Sequence, residues 1–195
     1  MPGPVDKLWV ESPIPLVHTP QYETKRNDIF TTGASHMALL HNAILRGFNS
    51  IYNQAPSLPR THHAPFIGYA TAWTALVISH HDAEESDLFP AAFVAGVVDM
   101  ADYLATTARY PASFSGATLR AKMDAFRALF QEHFHAEIAT IAALSTEGAG
   151  DPEAGEGRAS EQWGKRSVTR AGWTDVFVFL VLHMDREWEE GMWGN

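Results

Sequence analysis

The length, composition and charge of the chain narrow its possible functions before any motif is considered. Its 195 residues allow one domain with a buried core, and 46% hydrophobic against 19% charged residues is ordinary for a globular protein. A net charge of −9 argues against a nucleic-acid-binding groove, and no apolar run approaches the roughly 18–20 residues of a membrane span.

The N-terminal residues lack the basic and apolar parts of a signal peptide, so we expect a cytoplasmic protein that binds neither nucleic acid nor membrane. The chain contains no cysteine, which excludes disulfide bonds and thiolate ligands. Any bound metal ion must therefore be held by His, Asp, Glu or Tyr side chains.

The first predicted element is an extended, proline-rich arm over residues 1–28, and its apolar segment 8–19 is expected to pack on the domain. Beyond the arm, apolar residues recur at steps of three and four, which is typical of amphipathic helices. These helices are predicted over residues 29–54, 66–88, 91–109 and 117–145. Thr31 or Thr32 is the predicted N-cap of the first helix.

Short connectors join the four helices, and no segment has the pattern of a strand. We therefore predict an all-α protein built on an antiparallel up-down-up-down four-helix bundle over residues 29–145. Residues 146–172, rich in glycine and acidic side chains, are predicted to form a flexible surface loop. Residues 173–195 are predicted to form a short C-terminal helix and tail.

Several histidines of the chain are paired with a glutamate at helical spacing. Four of the ten histidines have a glutamate four residues downstream, which places both side chains on one face of a helix. These pairs are His80–Glu84, His81–Glu85, His133–Glu137 and His183–Glu187. Pairs of this kind on separate helices are how a helical bundle builds a transition-metal site.

The fourth predicted helix carries the clearest pair. His133 and Glu137 interrupt its apolar face between Phe130 and Ile141, so both are expected to point into the core. Burying them without partners would cost several kcal/mol, which calls for a bound dication or a mutual buried pair. His41, in the middle of the first helix, would on its own be interpreted as an ordinary core histidine.

The second predicted helix ends in a run of histidine and acidic residues that includes His80 and Glu84. One interpretation is a solvated, acidic helix end. That interpretation leaves two adjacent histidines, His80 and His81, without a role. The other interpretation is that His80 and Glu84 face the core as metal ligands.

Three segments together carry a pattern that is more specific than any single pair. The pattern consists of His41-Asn42 on the first helix with Gln54-Ala55-Pro56 at its end, His80-His81-x-x-Glu84-Glu85-x-x-x-Phe89-Pro90 at the end of the second, and His133-x-x-x-Glu137-Ile138 on the fourth. It resembles the hemerythrin-like HHE cation-binding domain, particularly its fungal branch. The arm, with Trp9, Pro15 and Pro20, is similar to the segment that precedes the domain in that branch. The resemblance covers roughly residues 9–145.

The resemblance implies a bundle that holds two iron ions, bridged by carboxylates and capped by histidines. The metal ligands it implies are His41, His80, Glu84, His133 and Glu137. Glu84 would be a bridging ligand, whereas His81 and Glu85 lie about 100° further round the helix and are less suited to the same site. A mononuclear iron site, or another divalent metal, is an alternative to the iron pair.

The third predicted helix departs from the family pattern. In the family this helix supplies one or two histidines, and residues 91–109 contain none. Asp99, Asp102 or Tyr103 could supply oxygen ligands in their place. Otherwise the second metal position is lost, which leaves a mononuclear or an empty site.

His183–Glu187 offers an alternative ligand map. If its segment were the last helix of the bundle, this pair would replace His133 and Glu137 or complete the metal site, with His133 on the third helix. The map is disfavoured because it needs a connector of about 30 residues inside a compact domain, which is uncommon.

The function expected from these residues and the resemblance is that of a hemerythrin-like non-heme iron protein, either an oxidoreductase that uses dioxygen or an oxygen- or iron-binding protein. Its partner would be dioxygen or a small-molecule substrate, and the sequence does not determine its oligomeric state. The alternative is a metal-free bundle that binds a small organic ligand and uses His and Glu as acid and base.

Overall fold

The computed structural model describes residues 12–83, 91–144, 179 and 181–183, and all regular structure within these ranges is helical. The helices are α1 (Pro20–Thr24), α2 (Ile29–Gln54), α3 (His63–Ala83), α4 (Ala91–Arg109) and α5 (Gly116–Leu144). Short 3₁₀ turns lie at Ala55–Ser57, Arg60–His62 and Pro111–Ser113. Residues 179 and 181–183 are also helical. The predicted all-α class is thus confirmed for the described residues.

Three of the four long helices lie within one residue of their predicted ranges, and α3 is the exception. It begins at His63, three residues before the predicted start, and Pro65 lies in its first turn. Proline is tolerated there because the first N–H groups of a helix have no intrahelical acceptor. The predicted end of this helix and the predicted loop 146–172 lie outside the described residues.

The start of α2 is capped by Asp28 and not by the predicted Thr31 or Thr32. One carboxylate oxygen of Asp28 accepts the backbone N–H of Thr31 at 3.0 Å, and the other accepts the Thr31 hydroxyl at 2.7 Å. These two hydrogen bonds, helped by the nearby Arg26 guanidinium, hold the pKa of Asp28 below its ordinary value. The carboxylate therefore satisfies one of the exposed N–H groups of the first turn.

The chain forms two compact units, and α2 and α5 contribute residues to both. The first unit contains residues 12–16 and 44–131, with the gap at 84–90. Its core is an aromatic cluster in which ring centroids lie 5.2 to 6.2 Å apart. The cluster consists of Phe48, Trp73, Phe93, Phe126 and Phe130. The Trp73 indole N–H is satisfied by the Ile44 carbonyl at 2.9 Å.

Two glycines allow close contacts between elements of the first unit. A Cβ atom at Gly96 would lie 2.7 Å from the Phe126 Cβ, so glycine lets α4 pack closely on α5. At Gly116 a Cβ atom would lie 1.7 Å from the Ala55 carbonyl oxygen. Glycine is therefore required where α5 begins beside the turn that follows α2.

The arm is held to α2 by side-chain amides. Asn49 accepts the N–H of Ile14 at 3.0 Å and donates to the Ile14 carbonyl at 2.8 Å. Asn42 does the same for Val17, at 2.7 and 2.9 Å. Ile14 and Val17 are both buried. This confirms that the apolar part of the arm packs on the protein where it is described. The predicted extended conformation is wrong for Pro20–Thr24, which form helix α1 with proline at its N-terminus.

The spacing of these amides matches the spacing of their partners. Seven residues of α-helix rise about 10.5 Å, and three residues of extended chain span about 10 Å. Asn42 and Asn49 are seven residues apart, and Val17 and Ile14 are three apart. The rise of the helix between the two asparagines therefore equals the length of extended chain between their two partners.

The second unit contains the described residues 17–43, 132–144, 179 and 181–183. Within it, the Ser35 hydroxyl donates to the Thr31 carbonyl at 2.7 Å and accepts the Gln21 N–H at 2.8 Å. This hydroxyl joins α1 to the first half of α2. None of the described helices is long and apolar enough to span a membrane.

Candidate metal centre

The structure brings three of the five predicted metal ligands together in the second unit. His41 comes from α2, and His133 and Glu137 come from α5. The Oε2 atom of Glu137 lies 3.5 Å from His41 Nε2 and 3.4 Å from His133 Nε2. The exposed fractions of the three side chains are 0% for His41, 8% for His133 and 13% for Glu137. We refer to these three side chains as the trio.

The orientation of His41 is set by a backbone carbonyl. Its Nδ1 atom lies 2.9 Å from the Phe134 oxygen, and its ring packs on the Phe134 ring with the centroids 4.4 Å apart. Since a carbonyl oxygen only accepts hydrogen bonds, Nδ1 carries the proton. In the neutral imidazole, Nε2 is then the unprotonated nitrogen, and it faces Glu137. A second hydrogen bond of this kind is how metal-binding histidines are commonly oriented.

The electrostatics of the trio favour a proton or a cation between its members. A lone pair on His41 Nε2 faces a carboxylate oxygen, which is unfavourable unless a proton or a metal ion lies between them. The distances of 3.5 and 3.4 Å exceed the ~2.7–2.9 Å of a charge-assisted N–H···O bond. Bonds of about 2.1 Å would place neighbouring ligand atoms about 3.4 Å apart at tetrahedral angles and about 3.0 Å apart at octahedral angles.

The donor atoms are nevertheless not yet arranged around an ion. The His41 and His133 ring centroids lie 6.5 Å apart, with their planes at 46°. Within the described part of the chain, no group of three or more His, Cys, Asp or Glu side chains has the geometry of a metal site. Metal binding by the trio would therefore require its side chains to adjust.

The position of the trio on α5 differs from the expectation that His133 and Glu137 point into the core. The buried stripe of α5 continues from Phe130 through Phe134 and Ile138. His133 and Glu137 lie beside this stripe and retain some solvent contact. The observed stripe continues from Phe130 in steps of four residues, to Phe134 and Ile138. The prediction instead continued it with a step of three residues, from Phe130 to His133.

His80, the fourth predicted ligand, lies in the first unit, near the end of α3, and is 3% exposed. Its neighbour His81 is partly exposed. The predicted partners Glu84 and Glu85 lie outside the described residues.

The three alternative oxygen ligands on α4 have other surroundings in the first unit. Asp99, whose side chain is 61% exposed, accepts two hydrogen bonds from Lys122 Nζ at 2.7 and 2.8 Å. Asp102 is exposed. The Tyr103 hydroxyl donates to the Ser115 carbonyl at 3.0 Å and accepts the Ser115 N–H at 2.7 Å.

His183, from the alternative ligand map, makes local contacts within its own helical segment. Its ring stacks on the Phe179 ring, with the centroids 4.0 Å apart and the planes at 8°. Its Nδ1 atom lies 2.8 Å from the Phe179 carbonyl oxygen. Glu187 lies outside the described residues.

Sequence analysis did not identify two groups that shape this region, the Phe134 carbonyl and the Asn42 amide. A backbone carbonyl leaves no trace in sequence. The asparagines did leave a signal, because Asn42, Asn49 and Asn53 recur at intervals of seven and four on one face of α2. The last of them donates to the Ser12 carbonyl at 2.7 Å.

Comparison with known proteins gives one informative relative. No family model matches the chain, and no solved structure matches it. The chain is 32% identical over 165 residues to the dimeric xanthone biosynthesis cluster protein R11 of Cryptosporiopsis sp. (strain 8999). The match covers 72% of this chain and 62% of the relative, so the chain spans less than two thirds of the relative's length.

Proposed function

We propose that the chain is a hemerythrin-like four-helix-bundle protein that binds iron through histidine and carboxylate side chains and reacts with dioxygen or a related small oxidant. The observation that carries the proposal is the arrangement of the trio. A tautomer-fixed imidazole and a second imidazole both face one carboxylate oxygen at 3.4 to 3.5 Å. The sequence resemblance adds His80 and Glu84 to the proposed ligand set.

The donor chemistry of the trio suits iron. Neutral imidazole and carboxylate bind iron, manganese and zinc, and a set of two histidines and one carboxylate is typical of non-heme Fe(II) oxygenases. Iron held in this way would supply redox chemistry with dioxygen. The Phe134 carbonyl would keep His41 Nε2 available as a donor, and the Glu137 carboxylate would offset part of the charge of the ion.

The relative supports a role in biosynthesis. Its name assigns it to a cluster for dimeric xanthone biosynthesis. We extend that association to this chain and propose an oxidoreductase that acts on a small-molecule biosynthetic intermediate. Because the match covers 62% of the relative, the relative contains sequence that this chain does not align with.

A second candidate function is a metal-free acid–base site for a small organic ligand. It is favoured by the side-chain positions themselves, because the described residues include no formed cluster of three metal-ligating side chains. A proton shared between Glu137 and an imidazole would then replace the ion. Such a pair could exchange a proton with a bound ligand.

The proposal is tested by measuring iron content. The purified protein is incubated with Fe(II) without oxygen, desalted, and analysed for iron and protein. We expect Glu137→Ala to lose at least half of the iron bound by the unaltered chain, because it removes the oxygen that both imidazoles face. Glu132→Ala is the matched control, since Glu132 is an exposed glutamate on the same helix.

The same experiment separates the two ligand maps. His183→Ala and Glu187→Ala should leave the iron content within error of the unaltered chain. Loss of iron in these two variants, with retention in Glu137→Ala, would assign the ligand pair to His183 and Glu187. An unaltered chain that binds no iron would favour the metal-free candidate.

A further inference from the structure

Acidic residues are absent from two stretches of this acidic chain, residues 29–81 and 103–123. Since 23 of the 195 residues are Asp or Glu, the first stretch of 53 residues would contain about six at the average frequency. Burial explains the absence along residues 41–52 of α2, which are all buried. It does not explain the absence from the surface of residues 53–65 and 105–121, where most side chains are exposed. We refer to this surface as the acid-free surface.

The two segments of the acid-free surface meet at one end of the helices of the first unit. The backbone of Gly116 packs directly against the Ala55 carbonyl. The Nδ1 atom of His63 lies 3.2 Å from the Pro111 carbonyl oxygen. Helices α2 and α4 end here and α3 and α5 begin here, so the opposite helix dipoles largely offset each other. The charge of the surface therefore comes from its side chains.

Three exposed arginines give this surface a positive charge on a chain whose net charge is −9. They are Arg60 before α3, Arg109 at the end of α4, and Arg120, which packs over the Tyr52 ring at 4.3 Å. Within the described part of the chain, none of the three forms an ion pair. Other described cations do lie 2.7 to 3.3 Å from a carboxylate, namely Arg26, Lys122 and Arg127.

The composition of the acid-free surface is that of an interface. Tyr110 is 71% exposed and follows Arg109 directly. Most of the other exposed side chains are small, namely Ala, Ser, Thr or Pro, so the arginines and Tyr110 are among the largest groups available for contact. Ordinary surfaces mix Lys and Arg with Glu and Asp. Interfaces are enriched in Arg and Tyr and depleted in Lys, Glu and Asp.

We propose that the acid-free surface docks an acidic segment of a partner protein, whose carboxylates pair with Arg60, Arg109 and Arg120. The forked guanidinium group binds a carboxylate through two parallel hydrogen bonds. A membrane or a nucleic acid carries negative charge beyond the limits of this surface, so it would also face the rest of a chain with a net charge of −9. A short acidic segment faces the arginines alone. This inference does not depend on the proposed iron centre.

The test uses a fluorescein-labelled peptide of about ten glutamates as the acidic probe, and a peptide of glutamines of the same length as its uncharged match. Binding of each peptide to the full chain is measured by fluorescence anisotropy at about 0.05 and 0.15 M NaCl, because salt screens exposed charge pairs. We expect the glutamate peptide to bind, more weakly at the higher salt concentration, and the glutamine peptide not to bind.

Variants assign the binding to the arginines. Replacing Arg60→Ala and Arg109→Ala together should raise the Kd of the glutamate peptide about tenfold, since each exposed ion pair contributes modestly. The matched control is the pair Lys25→Ala and Arg26→Ala, which removes the same charge from exposed positions outside the acid-free surface. Circular dichroism checks that each variant is folded. Arg109→Ala alone, expected to raise the Kd about threefold, decides the question if the double variant misfolds.

The remaining outcomes would contradict the inference. An unaltered chain that does not bind the glutamate peptide, or equal binding by the arginine variant and the lysine control, would overturn it. Tighter binding to vesicles that contain phosphatidylserine, or to a short single-stranded DNA, lost in the same arginine variant, would overturn the assignment to a protein partner. The arginine variant should bind as much iron as the unaltered chain, so failure of the docking test would leave the proposed iron centre untouched.

Discussion

At the scale of single residues, the orientation of the His41 ring depends on a backbone atom, the carbonyl oxygen of Phe134. The Phe134 carbonyl holds the Nδ1 proton of His41 and so determines which nitrogen faces Glu137. Both ring nitrogens of a histidine can bind metals, and the hydrogen bond made by one nitrogen selects the other. A buried histidine on a helix is therefore understood only when the partners of both of its nitrogens are considered.

Asp28 provides a prediction about stability at the same scale. We expect Asp28→Ala to lower the free energy of unfolding by about 1 kcal/mol at neutral pH, because the N-cap hydrogen bonds are lost. The measurement is urea unfolding. Asp102→Ala, which removes an exposed carboxylate from α4, should change the free energy of unfolding by less than about 0.5 kcal/mol.

The pH dependence of this difference follows from the lowered pKa of Asp28. A carboxyl group whose pKa is lower in the folded state stabilises that state above its unfolded pKa, and this contribution is lost as pH falls through the folded pKa. The difference between the unaltered chain and Asp28→Ala should therefore be constant above about pH 5 and shrink below about pH 4. A difference that grows on acidification would contradict the assigned role of the carboxylate.

At the scale of elements, side-chain amides of α2 make the hydrogen bonds to the arm that a neighbouring strand would make in a β-sheet. Asn49 satisfies both backbone groups of the buried residue Ile14. Extended backbone next to a helix normally lacks such partners, since the helix uses its own N–H and C=O groups internally. The amides therefore allow an extended segment to be buried against a helix.

We expect Asn49→Ala to lower the free energy of unfolding by about 2–3 kcal/mol, because it leaves a buried N–H and a buried C=O of Ile14 without their partner. Asn53→Ala, which removes one hydrogen bond to a more exposed part of the arm, should cost about 0.5–1 kcal/mol. Urea unfolding of the two variants provides the comparison. Equal costs would mean that the paired hydrogen bonds of Asn49 do not anchor the arm.

The bounds of helices α2, α4 and α5 could be predicted from the sequence, because prolines and polar connectors mark the ends of these helices. It missed details that depend on three-dimensional approach. Pro65 was assigned to a connector, although it lies within the first turn of α3. Asp28 was not recognised as a cap, because Thr31 and Thr32 have equally suitable side chains for that role.

For the candidate site, the spacing of four residues and the family resemblance predicted the members of the trio. They did not predict its geometry. The hydrogen bond between His41 and Phe134 joins residues 93 positions apart, so it depends on how two helices approach each other. The shift of the buried stripe of α5 onto Phe134 and Ile138 likewise depends on packing, because both faces of that segment carry apolar residues.

At the scale of the whole molecule, metal binding should be linked to folding. An ion that binds only the folded chain stabilises it by RT ln(1 + [M]/Kd), about 4 kcal/mol at a thousandfold excess over Kd. For a protein of this size, each kcal/mol raises Tm by about 2–4 °C. A metal centre formed by the trio should therefore raise Tm by roughly 10 °C under these conditions.

The most direct test of iron binding by the trio is the Tm of the unaltered chain and of Glu137→Gln, each measured without oxygen in excess Fe(II) and again after verified iron removal. We predict a large iron-dependent rise in Tm for the unaltered chain and its loss in Glu137→Gln, while His36→Ala, which alters an exposed histidine on the same helix as His41, retains it. An unaltered chain whose Tm does not respond to iron, or a Glu137→Gln variant with the full rise, would contradict the proposed centre.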